Sequence, residues 1–361
     1  MVRKSPSEYL VFLINPGSTS TKVSVFKNES QIWNYEIIHS TDELKRFKTV
    51  VDQEDFRYRA IVNAVEKSGI DLSAVDAVGG RGGLLRAVES GVYTVNERML
   101  DDLKNARFGQ HASNLGAILA RRFAVMIGCN AYIVDPVVVD EMDEVAKITG
   151  IPQIRRKSIF HALNQKSSAR EVSSKLGKKY EDCNFIVAHM GGGISVGAHM
   201  KGRVVDVNNA LDGDGPFSPE RAGTLPAGQL LEFFIENKLD LAAARGILAG
   251  KGGLVGYFGT NSVEKVKEMM IKGDKRAGQL YRAMAFKIAQ EIAKHGATLS
   301  GVIDGIILTG GLARDGELVS IIKEKVSFLA PVFVLPGERE MLSLARGVLS
   351  VLQKEIKPKN Y

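Results

Sequence analysis

The stretch from Leu10 to Phe26 constrains this chain more than any other. A run of strand-forming residues, Leu10–Ile14, is interrupted at Asn15-Pro16-Gly17, where proline and glycine predict a tight turn. Four hydroxyl residues follow, and alternation from Lys22 to Phe26 predicts a second strand. A polar hairpin is one interpretation. Because short hairpins favour Asn-Gly or Asp-Gly, the excess of hydroxyl groups, together with N–H groups and a lysine, favours a phosphate-binding turn instead.

Length and composition limit the class of protein. A chain of 361 residues predicts two domains, and 45% hydrophobic with 25% charged residues is typical of a globular protein. No apolar run approaches the ~20 residues of a membrane span. Two cysteines, Cys129 and Cys183, lack metal-type spacing and predict a reduced, cytoplasmic protein. The net charge of +7 is scattered without a basic arm, so nucleic acid is not an expected partner.

Three segments repeat one pattern, a buried strand that runs into a glycine-rich turn. They are Leu10–Gly17, Phe185–Gly193 and Val302–Gly311. The first two continue into a second strand, Val23–Phe26 and Ile194–Met200 respectively, which indicates an internal repeat about half the chain long. Helical spacing of apolar residues predicts helices elsewhere, at Asp274–His295, His111–Met126, Glu340–Leu352 and Ser262–Met270. The pattern predicts an α/β protein of two related domains, joined near Ile148–Lys157, with a nucleotide in the cleft at their junction.

The glycine-rich turns are the next source of functional signal. A Walker A loop is absent, since Gly246–Gly252 is one residue short and lacks the Ser or Thr. Gly191, Gly192 and Gly193 would let the backbone approach an oxyanion closely, although a bulge or tight turn explains them equally well in isolation. Together with the N-terminal turn and with Gly310-Gly311, they predict a second phosphate-contacting loop.

Several charged residues stand in unusual surroundings. Arg81 lies between two pairs of glycines, so we expect few side chains around it and a guanidinium that is free to bind a ligand; a surface arginine is the alternative. Arg221 lies in a loop of small residues and proline. Asp135 ends a predicted strand, a position typical of an active-site carboxylate or of a simple turn cap. Three of the six histidines also stand out, and each alone equally suits a structural role: His111, His161 and His189.

Together these segments resemble the acetokinase family of the actin/hexokinase/Hsp70-like ATPase superfamily, and within it the butyrate kinases. Asn15–Lys22 is similar to the family's first signature, N-x-G-S-x-S-x-K. Further similar blocks cover nearly the whole chain: Gly80–Gly83, Gln110–Leu115, Val134–Glu141, Ser158–Gln165, Ala188–Gly193 and Asp212–Arg221. The residues around Asp135 and Arg221 differ from acetate kinase and resemble butyrate kinase. The resemblance therefore implies a short aliphatic acid, with branched acids such as isobutyrate, and also acetate or propionate, as alternatives.

The resemblance implies a fold and a reaction. The fold is α/β, with two ribonuclease H-like (actin-like ATPase) domains, residues 1–150 with 346–361 and residues 151–345, and an interdomain nucleotide cleft. The reaction is ATP + butanoate ⇌ ADP + acyl phosphate, with Mg²⁺, in a homo-oligomer. A carboxylate is already anionic at neutral pH and needs no general base. Catalysis then consists of positioning and of stabilising the charge of the phosphoryl group in transfer. A non-metabolic ATPase switch of the same superfamily is the competing class.

The resemblance also implies roles for individual residues. Arg81 would bind the substrate carboxylate. Arg221 and His161 would stabilise the transferring phosphoryl group, with Asp135 orienting Arg221. Asn15 and Glu340 would hold the metal, with Glu338 as the competitor of Glu340. The residues expected along the path of the phosphates and at ATP or the substrate are Ser18, Ser20, Lys22, His111, His189, Gly191, Gly192, Gly193, Gly310 and Gly311.

Overall fold

A computed structural model of the chain describes residues 8–337 and 339–361. Within these residues it divides into two units: the first ends at Val139 and resumes from Arg339 to Tyr361, and the second begins at Asp140. The predicted boundaries, after residues 150 and 345, lie further along the chain than these. The segment expected to be a linker belongs to the second unit, where Arg156 donates hydrogen bonds to the Asp206 carboxylate (2.8 Å) and to the Val207 carbonyl (3.0 Å).

The described residues form both strands and helices. The strands are β1 (Leu10–Pro16), β2 (Ser20–Lys27), β3 (Ser30–Ile38), β4 (Ala77–Arg81), β5 (Val92–Thr94), β6 (Asn130–Val134), β7 (Asn184–Met190), β8 (Ile194–Met200), β9 (Arg203–Val207), β10 (Gly305–Gly310), β11 (Val332–Pro336) and β12 (Lys359–Asn360). The helices are α1 (Thr41–Leu44), α2 (Glu54–Ser68), α3 (Glu97–Lys104), α4 (Asn114–Ile127), α5 (Glu144–Lys147), α6 (Ala162–Lys175), α7 (Ala227–Glu236), α8 (Leu241–Leu248), α9 (Gly253–Phe258), α10 (Val263–Ile271), α11 (Lys275–Thr298), α12 (Gly316–Val326) and α13 (Glu340–Leu352).

The two units contain the same five-strand arrangement. Among the described residues, the first sheet has the order β12-β5-β6-β4-β1-β2-β3 and the second β11-β10-β7-β8-β9. In both, the first three strands in sequence (β1-β2-β3 and β7-β8-β9) form antiparallel pairs. Two later strands in each unit (β4 and β6, β10 and β11) extend the sheet in parallel. This correspondence confirms the internal repeat predicted from the sequence, and it makes β1–β2 and β7–β8 equivalent hairpins.

All four predicted helices form, and two of them, α10 and α11, begin at a residue whose side chain caps the helix. The side chain of Asp274 accepts hydrogen bonds from the backbone N–H groups of Arg276 and Ala277, which starts α11. Ser262 caps α10 in the same way through Lys265 N–H. Helix α11 buries its apolar face against β7 and β8 of the second sheet, and α10 packs against α11 within the same core. Helix α13 packs against β1, β4 and β6 of the first unit.

No helix within residues 8–337 and 339–361 combines the length and apolarity that crossing a membrane requires.

Candidate functional site

The β1–β2 connection is a hairpin, so the backbone of the opening stretch follows the polar-hairpin interpretation. Its turn is closed by a hydrogen bond from Gly17 N–H to Ser20 C=O (2.8 Å). The four hydroxyl residues have different surroundings: Ser18 and Thr19 are exposed, Ser20 donates to a Glu36 carboxylate oxygen (2.9 Å), and Thr21 is buried. The exposed tip with its two hydroxyl groups is the part of the turn that can contact an anion.

His39 contacts this turn, and its pKa predicts that the stability of the first unit depends on pH. Its Nε2 lies 2.8 Å from Thr21 Oγ1, which also accepts a hydrogen bond from Arg57 (3.0 Å). The Thr21 hydroxyl is thereby free to donate its proton to a neutral His39 ring. Burial, together with the charge of Arg57, lowers the pKa of His39 from 6.5 to about 4.

We therefore expect the free energy of unfolding to fall as pH drops from about 6.5 to about 4. In that window the unfolded chain binds a proton at His39 that the folded chain does not, which costs up to about 3 kcal/mol. Urea unfolding at several pH values, compared with a His39→Gln variant, measures this contribution. The variant should lose part of the acid sensitivity; an identical pH dependence in both proteins would contradict the assignment.

Arg81, Asn15 and Glu340 meet at the ends of β4 and β1 and at the start of α13. Arg81 Nη1 donates to Glu340 Oε2 (2.9 Å), and Asn15 Nδ2 donates to the same oxygen (2.6 Å). Arg81 Nη1 also lies 3.4 Å from Asn15 Oδ1. The expectation of an arginine free of neighbouring side chains is thus wrong, because Arg81 ends a strand and is ion-paired with a buried carboxylate.

The glycines around Arg81 serve backbone packing. A β-carbon at Gly80 would lie 2.3 Å from the Gly116 carbonyl oxygen, and one at Gly116 would lie 2.2 Å from the Arg81 carbonyl oxygen. No side chain fits at such distances, so strand β4 and helix α4 approach as bare backbone. The glycines therefore reflect a close contact between β4 and α4. This contact fixes the backbone position of Arg81.

The donor set around Asn15 and Glu340 fits a magnesium ion that arrives with a nucleotide. Mg²⁺ prefers oxygen ligands and is commonly held by one or two carboxylates together with substrate phosphates and water. Glu340 offers a carboxylate and Asn15 an amide oxygen. The described residues contain no cluster of three acidic, histidine or cysteine side chains suited to a metal. The pair of oxygen ligands from Asn15 and Glu340 fits a metal ion that phosphates also coordinate. Glu338, the competing candidate, lies outside the described residues.

Two further predicted residues of the first unit have structurally defined environments. Asp135 is buried directly after β6 with φ = +37°, and its Oδ1 accepts hydrogen bonds from Ser90 Oγ (2.6 Å) and Gly91 N–H (2.8 Å). Asp135 is a non-glycine residue at positive φ, which stores strain of the kind that clusters at functional sites.

His111 Nδ1 accepts a hydrogen bond from Ser113 N–H (3.2 Å), so a neutral His111 ring carries its proton on Nε2.

In the second unit, the glycine turn between β7 and β8 lies against two stacked histidines. The rings of His161 and His189 are 3.8 Å apart between centroids and 15° from parallel. Ser195 Oγ accepts a hydrogen bond from Gln165 Nε2 (2.8 Å) and lies 2.8 Å from His161 Nδ1. The Ser195 hydroxyl proton is therefore available to His161 Nδ1, which leaves His161 Nε2 as an N–H donor.

Arg221 lies beside the same glycine turn. A β-carbon at Gly193 would lie 3.8 Å from Arg221 Nε, 3.7 Å from His161 Cε1 and 4.0 Å from His161 Nε2. Arg221 Nε is buried and has no hydrogen-bond partner within the described part of the chain. Burial lowers the pKa of Arg221 from its ordinary value, with partial compensation by Glu220. Because buried donors are normally paired, this guanidinium N–H marks a place for an anionic oxygen beside the His161 ring.

The backbone of the loop that carries Arg221 packs closely against Gly253, which has φ = +61°. A β-carbon there would lie 1.8 Å from the Ser218 carbonyl oxygen and 2.8 Å from that of Arg221.

Gly253→Ala is therefore expected to lower the free energy of unfolding by about 2–4 kcal/mol, through the left-handed backbone and overpacking together. It should also lower activity, because the Arg221 backbone must move. Gly316→Ala is the matched control, since a β-carbon at Gly316 meets nothing within 4 Å. Denaturant unfolding measures both variants. Equal stability of the two variants would contradict the packing argument.

The remaining predicted loop residues lie beside this turn. Strand β10 ends at Gly310 (φ = +90°), and a β-carbon there would lie 2.4 Å from the Met190 carbonyl oxygen at the end of β7. Gly311 begins a short 3-10 turn, Gly311–Arg314. The structure thus brings Gly310 close to the Met190–Gly193 turn within one unit, as expected for two loops that share one ligand.

Several residues of these clusters were missed from the sequence. Ser195 and Glu220 both orient predicted residues: Ser195 contacts His161, and Glu220 accepts hydrogen bonds from Arg221 Nη1 (3.4 Å) and Asn261 Nδ2 (2.7 Å). Glu220 directly precedes Arg221, and that adjacency was the available signal. Arg57 was missed entirely because, in the sequence, it resembles any arginine of a polar helix.

Residues 149–330, half of the chain, match the family model described as the acetokinase family. The chain belongs to the acetokinase family. Its structure is similar to that of acetate kinase from Porphyromonas gingivalis, with a TM-score of 0.77 and 17% identity over 95% of this chain and 100% of that one. The acetokinase fold predicted from the sequence, an α/β actin-like ATPase fold with two domains, is thereby confirmed.

Two further acetokinase-like structures are similar to the same extent. One is a propionate kinase from Francisella tularensis subsp. tularensis SCHU S4, with a TM-score of 0.74 and 18% identity over 94% of this chain and 98% of that one. The other is the acetate kinase from Entamoeba histolytica, with a TM-score of 0.74 and 16% identity over 94% and 98%. Family membership supports the coarser functional prediction, an ATP-using carboxylate kinase. It does not distinguish between acids.

Proposed function

We propose that this chain transfers the γ-phosphoryl group of MgATP reversibly to a short-chain carboxylate, with butanoate or a branched acid as the preferred substrate. The observation that carries the proposal is the pair of donors at Gly193. Arg221 presents a buried N–H group that has no partner among the described residues, and Ser195 orients His161 so that its Nε2–H lies on the side of Gly193 and Arg221. A phosphoryl group in transfer is an anion that needs such donors.

The chemistry requires charge neutralisation. The carboxylate nucleophile and the phosphoryl group are both negative, so their approach is opposed by repulsion and gains nothing from a base. Arg221 and the His161 N–H would stabilise the equatorial oxygens of the phosphoryl group, where charge is spread in the transition state. The Gly191–Gly193 turn, whose only side chains are hydrogens, leaves room for the phosphates to approach the backbone.

The first unit supplies the other roles in the proposal. Asn15 and Glu340 would hold Mg²⁺, which neutralises phosphate charge when bound, and Arg81 would bind the carboxylate of the acid. Ser18, Ser20 and Lys22 would line the phosphate path. The roles that the resemblance implies for Asp135, His111, His189 and Gly310-Gly311 are kept as proposals. A homo-oligomer and a cytoplasmic location likewise stay predictions.

The acid-dependent formation of acyl hydroxamate tests the proposal. Purified protein is incubated with ATP, Mg²⁺, hydroxylamine and one acid of a series from acetate to valerate, including isobutyrate. We expect the highest kcat/KM with a four-carbon acid, and the Arg221→Ala protein measures any contaminating kinase. A maximum at acetate or propionate would favour the kinases of those acids. ATP turnover that is independent of any acid would favour the ATPase switch and contradict the proposal.

A further inference from the structure

Arg57 is a fully buried arginine that donates hydrogen bonds to the carbonyl groups of the β1–β2 turn. It lies near the start of α2 with 1% of its surface exposed. Its Nη1 donates to the carbonyl oxygens of Gly17 (2.8 Å) and Ser20 (2.9 Å) and to Thr21 Oγ1, and its Nη2 donates to the Ser18 carbonyl oxygen (3.2 Å). One guanidinium therefore contacts nearly every carbonyl group of the turn.

The position is electrostatically unfavourable for an arginine. The hydrogen-bond partners described for Arg57 are all uncharged oxygens, the fifth being Gln53 Oε1 (3.0 Å). Within the described residues no carboxylate oxygen lies within 4 Å of its guanidinium nitrogens. Burial lowers its pKa to about 10, and the start of a helix carries a partial positive charge that disfavours a cation. A residue that violates so many local preferences points to a functional requirement.

The contacts determine which way the turn faces. In a planar trans peptide the N–H group points opposite to the C=O group of the same unit. The carbonyl groups of Gly17 and Ser18 point at Arg57, so the N–H groups of Ser18 and Thr19 in those two peptide units point away from it. Both residues are exposed. The turn thus offers two adjacent N–H groups outward, with a fixed positive charge behind them, an arrangement that suits phosphate oxygens.

We propose that Arg57 is a positioning residue for the nucleotide phosphates: by holding the Gly17–Thr21 carbonyls inward, it keeps the Ser18 and Thr19 N–H groups directed at them. This inference rests on the use of ATP in the proposed function. It assigns Arg57 no contact with the nucleotide. Its effect is on the affinity for phosphates and not on that for the nucleoside.

Binding measurements on the intact protein test the role without requiring any acid. Calorimetric titration with MgATP, MgADP and adenosine is carried out on the wild type, Arg57→Met and Arg57→Lys. We expect Arg57→Met to raise the Kd for MgATP at least tenfold and to leave the Kd for adenosine within twofold. Arg57→Lys keeps the charge but loses the planar fork, and should raise the Kd for MgATP about fivefold.

A matched control separates positioning from general destabilisation. Ile61 lies one turn further along the buried face of α2 and is fully buried, so Ile61→Ala weakens the same helix without touching the turn. Its Kd for MgATP should equal that of the wild type. Guanidinium ions added to Arg57→Ala should restore affinity for MgATP, whereas methylammonium should not.

The outcomes are distinguishable from those of the proposed function. Unchanged affinity for MgATP in folded Arg57→Lys or Arg57→Met, or an equal loss in Ile61→Ala, would overturn the inference. If the wild type binds MgATP but makes no acyl hydroxamate, and the Arg57 variants lose affinity for MgATP, the role of Arg57 is supported while the proposed acid kinase activity fails. A wild type that binds MgATP no more tightly than adenosine would overturn both.

Discussion

Arg221→Ala is expected to lower kcat by about 10³ or more, the scale of arginine contributions to phosphoryl transfer. The Arg221 guanidinium is largely buried, its Nε has no partner within the described residues, and it lies beside the His161 ring at Gly193. An interaction that forms mainly with the transferring phosphoryl group stabilises the transition state more than the bound substrate. We therefore expect kcat and kcat/KM to fall together, with the KM values for ATP and acid nearly unchanged.

Two companion variants make this result specific. Arg245→Ala removes an exposed arginine on α8 of the same unit and should leave kcat within twofold. Arg221→Lys keeps a positive charge but cannot present the fixed fork of N–H donors, and should recover only a small part of the lost rate. Steady-state kinetics with circular dichroism as the folding check measures all three. A decrease of less than tenfold in folded Arg221→Ala would remove Arg221 from its proposed role.

The parts of the fold that could be predicted are those that depend on local pattern. Strand β8 has the predicted bounds, Ile194–Met200, because apolar residues alternate there between turn residues. Helix α11 begins directly after Asp274 because the carboxylate satisfies the first N–H groups. The internal repeat could be recognised because each half places a glycine-rich turn after a buried strand. Such signals need only neighbours in the sequence.

The unpredicted parts depend on contacts between distant residues. Asn15 and Glu340 are 325 positions apart and Arg81 and Glu340 are 259 apart, so their shared hydrogen bonds follow only from the parallel pairing of β1 and β4 and the packing of α13. The glycines flanking Arg81 allow close backbone packing, which in a sequence looks the same as a lack of neighbouring side chains. Arg57 gave no signal, because a buried role and an exposed one look alike within a charged helix.

The shared hydrogen bonds of Arg81, Asn15 and Glu340 lead to the second large prediction, a pair of variants with opposite kinetic signatures. Arg81→Ala removes the proposed partner of the acid, so the KM for the carboxylate should rise roughly 10- to 100-fold, the value of a charge-assisted hydrogen bond. Its Mg²⁺ requirement should not increase, because Glu340 no longer shares its oxygen with a guanidinium. Glu340→Gln should raise the Mg²⁺ concentration for half-maximal rate about tenfold or more and leave the KM for the acid within threefold.

Stability must be measured in parallel because Glu340 is 4% exposed. Removing one partner of a buried ion pair costs about 3–5 kcal/mol, so both variants should unfold at lower urea concentration than the wild type. Arg346→Ala is the matched control: Arg346 lies on the same helix and pairs with Glu29, but both are exposed, so stability and both kinetic constants should stay near wild-type values. Arg81 and Glu340 have different roles only if one variant changes the KM for the acid and the other changes the Mg²⁺ requirement. A parallel rise in the KM for the acid and in the Mg²⁺ requirement in both variants would mean that the three residues act as one structural unit.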